Sequence, residues 1–168
     1  MNQAKVNMKI CRALASGKSV YGSPVDESDF FVTEDGRVGY ILPREKMTCK
    51  IDKIRVMKQI IQSAEFDKSK YIPLIKSRIF INCGSGKGFC RMFKTNEYHV
   101  WLRTDFLDCF NEQAEYYHTI EGTDSGPAKM VTVVENDRIV GFVCPVRVYD
   151  SSITMDIESL RGDYIDLC

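Results

Sequence analysis

The chain has 168 residues, 44% hydrophobic and 27% charged, a composition that fits one ordinary globular domain and excludes a disordered, collagen-like or coiled-coil chain. Lys plus Arg number 23 and Asp plus Glu 23, so the net charge of zero points to no class of partner. No segment approaches the ~18 uninterrupted apolar residues of a membrane helix, and Lys5, Lys9 and Arg12 interrupt the region where a secretory signal would carry its apolar core.

Val6, Ile10 and Leu14, with Ala13 beside them, predict a first helix over about Lys5–Ser16, stopped by Gly17. Lys5, Lys9 and Arg12 fall at i, i+4 and i+7 and share its polar face. After Val20–Tyr21 comes a polar loop with Pro24 and Asp26. Phe30–Thr33 and Val38–Leu42 then flank Glu34-Asp35-Gly36-Arg37, a strong hairpin signal, and Pro43 ends the second strand. Asp52 is a suitable cap for a second helix over about 53–65, with Ile54, Met57, Ile60 or Ile61 and Ala64 as its stripe and Lys53 and Lys58 off it. Tyr71–Ile75 and Arg78–Asn82 read as extended, Gly84-Ser85-Gly86-Lys87-Gly88 as a turn, and Phe89–Phe93 and Tyr98–Leu102 as strands. Thr104 or Asp105 caps a third helix, about 105–115, carrying Phe106, Leu107 and Phe110. Tyr117–Ile120, Lys129–Glu135 and Ile139–Val148 read as strands, the last two joined at Asn136-Asp137. Helix followed by strands, three times over, predicts an α+β domain: mainly antiparallel sheet with two or three short helices over residues 1–148, then an acidic tail at 149–168.

The neutral total hides an uneven distribution. Residues 44–94 carry thirteen basic side chains against four acidic ones, net +9, and residues 95–168 five against fourteen, net −9. Such asymmetry marks a nucleic-acid face or head-to-tail association, unless folding interleaves the two halves and the field cancels. The seven cysteines, at 11, 49, 83, 90, 109, 144 and 168, have an odd count and no regular spacing. That pattern argues against a secreted disulfide scaffold and predicts a cytoplasmic chain with reduced thiols.

The chain also repeats itself. VTEDGRVGYILP (32–43) and VVENDRIVGFVCP (133–145) align with one insertion: acidic turn, Arg, Val-Gly, aromatic, two apolar residues, Pro. KVNMKICRALAS precedes the first copy and HVWLRTDFLDCF the second, and CKIDKIRVMKQI (49–60) has the form of a third helical opening. A repeat of this kind is a unit that cannot bury its own apolar face alone; shared hairpin chemistry is the other source of such likeness. The strand–helix–three-strand unit resembles the building block of DNA sliding clamps. The run from Tyr98-His99-Val100 through Phe106-Leu107-Asp108 and Thr123-Asp124-Ser125 to Val143-Cys144-Pro145-Val146-Arg147-Val148 resembles the end of the bacterial clamp subunit. The likeness covers about 98–148, with an echo in 5–43. It implies clamp-like repeated strand-helix-strands units and a non-enzymatic, DNA-associated accessory protein of the replication type. Under it, basic helical residues meet duplex DNA through the phosphate backbone, without base readout. Lys5, Lys9, Arg12, Lys50, Lys53, Lys58 and Lys87 are the candidate DNA contacts. Cys144, Pro145 and Val146 map onto the segment that lines the family's apolar pocket for peptide-motif partners. Basic and acidic ends associating head to tail would give a homo-oligomer. The chain departs from the family in being shorter than its three-domain subunit, in the acids Asp105, Asp108, Glu112 and Glu115 on the third helix, and in the extra tail. Those acids support an alternative: a protein-interaction module or small inhibitor that docks on a basic partner.

Enzymatic motifs are weak. Gly84-Ser85-Gly86-Lys87 lacks the leading Gly and the following Ser or Thr of a phosphate loop, since Ile81 and Gly88 stand there. Cys83 and Cys90 flank that turn and make at most half a metal site. A Cys109–His118 nucleophilic pair has nothing in sequence to bring it together, and Trp101 reads as half-buried on a strand. No catalytic constellation, cofactor, metal or membrane partner is predicted.

Overall fold

The computed structural model describes residues 1–51, 64–82, 88–120 and 130–147. Residues 52–63 of the second predicted helix, with Lys53 and Lys58, residues 83–87, with Cys83 and Lys87, and the acidic tail lie outside them, while the predicted end of that helix, Ala64 and Glu65, is not helical and Glu65 bridges to Arg138. Helix α1 runs Gln3–Ala15, capped by the Asn2 side chain, which accepts from the Lys5 backbone N–H at 3.0 Å. Its buried face is Val6, Asn7, Ile10 and Ala13. Leu14, counted in the predicted stripe, is exposed, because Ala13 brings the helix close to the sheet in its place.

Among the described residues nine strands form one sheet: β1 (Tyr21–Pro24), β2 (Asp29–Thr33), β3 (Val38–Pro43), β4 (Tyr71–Asn82), β5 (Phe89–Lys94), β6 (His99–Arg103), β7 (Glu115–Thr119), β8 (Val131–Glu135) and β9 (Arg138–Val143). Their order is β1-β2-β3-β9-β8-β7-β4-β5-β6, and every pairing is antiparallel. The α+β class with a mainly antiparallel sheet is therefore as predicted. The polar stretch after Tyr21 is a strand rather than a loop. It pairs with β2, and the Asp26 carboxylate closes the connection by accepting from the backbone N–H groups of Ser28 and Asp29, each at 2.7 Å. The two predicted hairpins close as read. Gly36 supplies φ +76° between β2 and β3, and Asn136 and Asp137 take φ 51° and 58° between β8 and β9, the left-handed pair that a two-residue hairpin turn requires.

The Val-Gly-aromatic strands of the two sequence copies lie side by side. Val38 pairs with Val143, Gly39 with Phe142 and Tyr40 with Gly141. A helix followed by the meander β1-β2-β3 meets the short helix α2 (Thr104–Leu107) followed by the meander β7-β8-β9 across this seam. The glycines make room for rings. A Cβ at Gly39 would lie 2.1 Å from the Phe31 ring, and one at Gly141 would lie 2.4 Å from the Gly39 carbonyl oxygen and 2.8 Å from the Phe110 ring.

The third predicted helix is corrected to the single turn α2. The chain breaks after Leu107 although Phe106, Cys109, Phe110 and Ala114 are all buried at the spacing of one helical face. The break is fixed by Phe110 N–H donating to Leu107 O at 2.9 Å and by Asn2 N–H donating to Cys109 O at 2.7 Å. One core cluster joins α1 (Val6, Ile10), β3 (Tyr40, Leu42), β5 (Phe93), β6 (Val100, Leu102) and β8 (Val131, Val133). The sheet therefore curls around α1 and α2. Beyond β9, Val146 N–H donates to Trp101 O at 2.8 Å on the outer edge of β6. Trp101 is 5% exposed, more buried than predicted, in a cluster of Cys90, Met92, Ile79, Ile81 and Val146.

After β3 the chain crosses α1 as a strap, residues 44–51. Asn7 holds it from both sides, donating to Lys46 O at 2.8 Å and accepting from Thr48 N–H at 3.1 Å. Cys49 is bonded to Cys11 of α1, with Cα atoms 6.3 Å apart, and Cys90 is also disulfide-bonded. The expectation of reduced thiols fails here because the strap brings together cysteines that are 38 residues apart in sequence. Asn7→Ala strips two backbone groups of their partners and is expected to cost about 2 kcal/mol, a melting-temperature loss of roughly 4–8 °C for a chain of this size. An unchanged melting curve would show that water replaces both bonds.

Candidate nucleic-acid interface

The predicted DNA contacts separate into two groups. Lys5 and Lys9 lie on α1 against the α2 turn, where their ammonium groups donate to the carbonyls of Asp108 at 3.4 Å and Asp105 at 2.8 Å. Arg12 is exposed one turn further on, and Lys50 is exposed on the strap. Lys9 and Arg12 line an open groove of about 700 Å³ together with Lys18, Arg37 and Arg103. The same walls carry Glu34, Asp35, Asp105 and Asp108. Lys18 pairs with Glu34 at 2.6 Å, which raises the lysine pKa, and Nε and Nη2 of Arg103 donate to the Asp105 carboxylate. The groove is thus a mixed-charge surface in which cations are answered by carboxylates.

The sheet arm β4-β5-β6 is different. From residue 68 to residue 103 the described chain carries seven cations (Lys68, Lys70, Lys76, Arg78, Arg91, Lys94 and Arg103) and one carboxylate, Glu97. Lys70 pairs with Asp67 and Arg103 with Asp105; among the described residues no carboxylate lies within ion-pair distance of the other five. Residues 71–74 of β4 pair with β7, and residues 75–82 pair with β5 across a bulge between Lys76 and Phe80. The bulge uses its own polar groups: Ile79 N–H donates to Ser77 Oγ at 3.1 Å, and Arg91 Nε donates to Ser77 O at 2.7 Å.

Cations and rings are interleaved along this arm. Arg91 lies over the Phe80 ring at 5.3 Å, and Lys76 over the Tyr116 ring at 5.0 Å. Lys76 also donates to the Glu112 carbonyl. Its pKa is held below the ordinary lysine value, first by partial burial and then by the nearby charge of Arg91. Burial pushes the Tyr116 phenol up to about 12, so it stays a neutral platform at neutral pH. Phe80, Phe89 and Ile75 are about half exposed.

Of the predicted partner segment, Cys144 N–H donates to Arg37 O at 2.7 Å, and burial raises the thiol pKa. Pro145 leads on to Val146, whose side chain packs on the Trp101 cluster. Cys109 sits in the main core, while His118 stacks on Tyr98 and shares a 2.9 Å hydrogen bond between Nδ1 and the tyrosine hydroxyl. The candidates that the sequence reading passed over are Arg78, Arg91, Phe80 and Phe89. Their signal was present as charged and aromatic residues alternating from 78 to 94, read there only as strand. No protein-family model, no curated protein and no solved structure matches the chain. No helix among the described residues is long and apolar enough to cross a membrane.

Proposed function

We propose that the chain is a non-enzymatic, nucleic-acid-associated accessory protein that holds a phosphate backbone on the β4-β5-β6 arm. The excess of seven cations over one carboxylate between residues 68 and 103 carries this reading, since neutralising phosphates is the main source of backbone affinity. The two helix-and-meander units joined at β3 and β9 support a clamp-like reading of the repeat. The helices of a clamp carry the DNA contacts. Here the α1 cations Lys9 and Arg12 share their groove with Glu34, Asp35, Asp105 and Asp108, whereas five cations of the sheet arm have no carboxylate within ion-pair distance among the described residues. The exposed acids Asp105, Asp108 and Glu112 favour a second reading, a module that docks on a basic protein.

Titration of labelled duplex DNA at increasing salt separates the two. Neutralising about four phosphates gives a log–log salt slope near −3.6. Arg78→Glu with Lys94→Glu is expected to flatten that slope and to weaken binding more than tenfold at low salt, with a melting temperature close to that of the parent chain because Arg78 is exposed and Lys94 is only half-buried. Absence of DNA binding at low salt, or binding indifferent to salt, removes the proposal in favour of the protein-docking module.

A further inference from the structure

Resting on the nucleic-acid reading above, we propose that the distal end of the β4-β5 hairpin is a stacking platform for two unpaired bases of a single-stranded nucleic acid. Phe80 and Phe89 are the rings, and Arg91 and Lys76 are the cations that meet the adjoining phosphates. The register places these residues together. Phe80 pairs with Arg91, Asn82 with Phe89 and Lys76 with Phe93, so Lys76, Phe80, Phe89 and Arg91 share one face of the hairpin. Phe80 and Phe89 are diagonal neighbours, a separation of about 7–8 Å between strands, which suits bases spread apart along an extended strand.

That face changes character along its length. Toward the core it carries Phe93 and Val100, each no more than 3% exposed. At the distal end Phe80 is 51% and Phe89 57% exposed. Two phenylalanines half exposed to water on neighbouring strands lose the burial that normally stabilises such residues. An aromatic face flanked by cations is what a base and its phosphate require.

The cations are positioned in advance. The Arg91 guanidinium is held by Ser77 O at one nitrogen and lies 5.3 Å from the centre of the Phe80 ring. Lys76 and Arg91 repel each other; the Glu112 charge offsets this in part at Lys76, and no carboxylate among the described residues is within ion-pair distance of either. An anion between them relieves that repulsion. Bases inside a duplex have both faces stacked already, so only unpaired ones offer a π-surface to Phe80 and Phe89.

The test uses the full chain and fluorescence anisotropy with three probes, each of about 20 nucleotides or base pairs: oligothymidylate, oligouridylate and a blunt duplex. The expected result is tighter binding of the single strands than of the duplex. Phe80→Ala and Phe89→Ala should each weaken single-strand binding about tenfold and leave duplex binding unchanged. Arg91→Gln should weaken all three. The ratio of the thymidylate and uridylate affinities tells DNA from RNA as the ligand. Both phenylalanine side chains are exposed, so the variants should melt with the parent chain, which a thermal scan verifies. If they bind single strands as tightly as the parent does, the stacking platform is overturned while the electrostatic reading stands. If no probe binds at low salt, both fall.

Discussion

Replacing Cys11 and Cys49 together by serine is expected to cost about 4 kcal/mol, the loop-closure entropy of a crosslink spanning 38 residues. For a chain of this length that lowers the melting temperature by roughly 8–16 °C. The bond anchors the strap of residues 44–51 to α1, and the strap covers part of the main core through Met47, Cys49 and Ile51. The loss should therefore appear as a cooperative shift of the whole transition rather than as fraying of one segment. The serine pair is the right comparison, because a reductant would also open the disulfide at Cys90. A double variant that melts with its parent would mean that the two Asn7 hydrogen bonds hold the strap unaided.

Gly141→Ala is expected to be the most damaging single-methyl addition in the described chain. The new Cβ would sit 2.4 Å from the Gly39 carbonyl oxygen and 2.8 Å from the Phe110 ring. The carbonyl belongs to the strand paired with β9, so relief demands that β3 and β9 move apart where the two meanders join. Overpacking of this kind costs about 3 kcal/mol, a melting-temperature loss of roughly 6–12 °C. Gly36→Ala, where a Cβ meets nothing within 4 Å and only the backbone is strained, should cost less. Equal losses at the two positions would show that backbone conformation, not the seam, explains Gly141.

The parts of the fold legible in the sequence are those fixed by near neighbours. Asp35-Gly36 and Asn136-Asp137 specify their turns through backbone conformations that few other residues adopt cheaply. Val6 and Ile10 mark the buried face of α1 because a helix repeats every 3.6 residues. The third helix misled because Phe106, Cys109, Phe110 and Ala114 keep the spacing of one buried helical face, whereas the bonds that end it after one turn, Phe110 N–H to Leu107 O and Asn2 N–H to Cys109 O, have no local signal. The disulfide depends on a strap crossing α1, a tertiary fact with no local signal. The charge excess was visible along the chain, but its face was not: strand register and the Ser77 bulge decide that Arg91, Lys76 and two exposed rings stand together, while Lys5 and Lys9 turn toward α2.

The seam also makes the two copies of the repeat unequal. At Gly39 the obstacle is the Phe31 ring alone, so shrinking residue 31 clears the way for a larger residue 39, and the two positions can exchange bulk. At Gly141 the obstacle includes main chain that no substitution removes, so trimming Phe110 leaves the glycine as indispensable as before. Descendants of this sequence are thus free to drift in the first half while the second stays frozen at one atom's width.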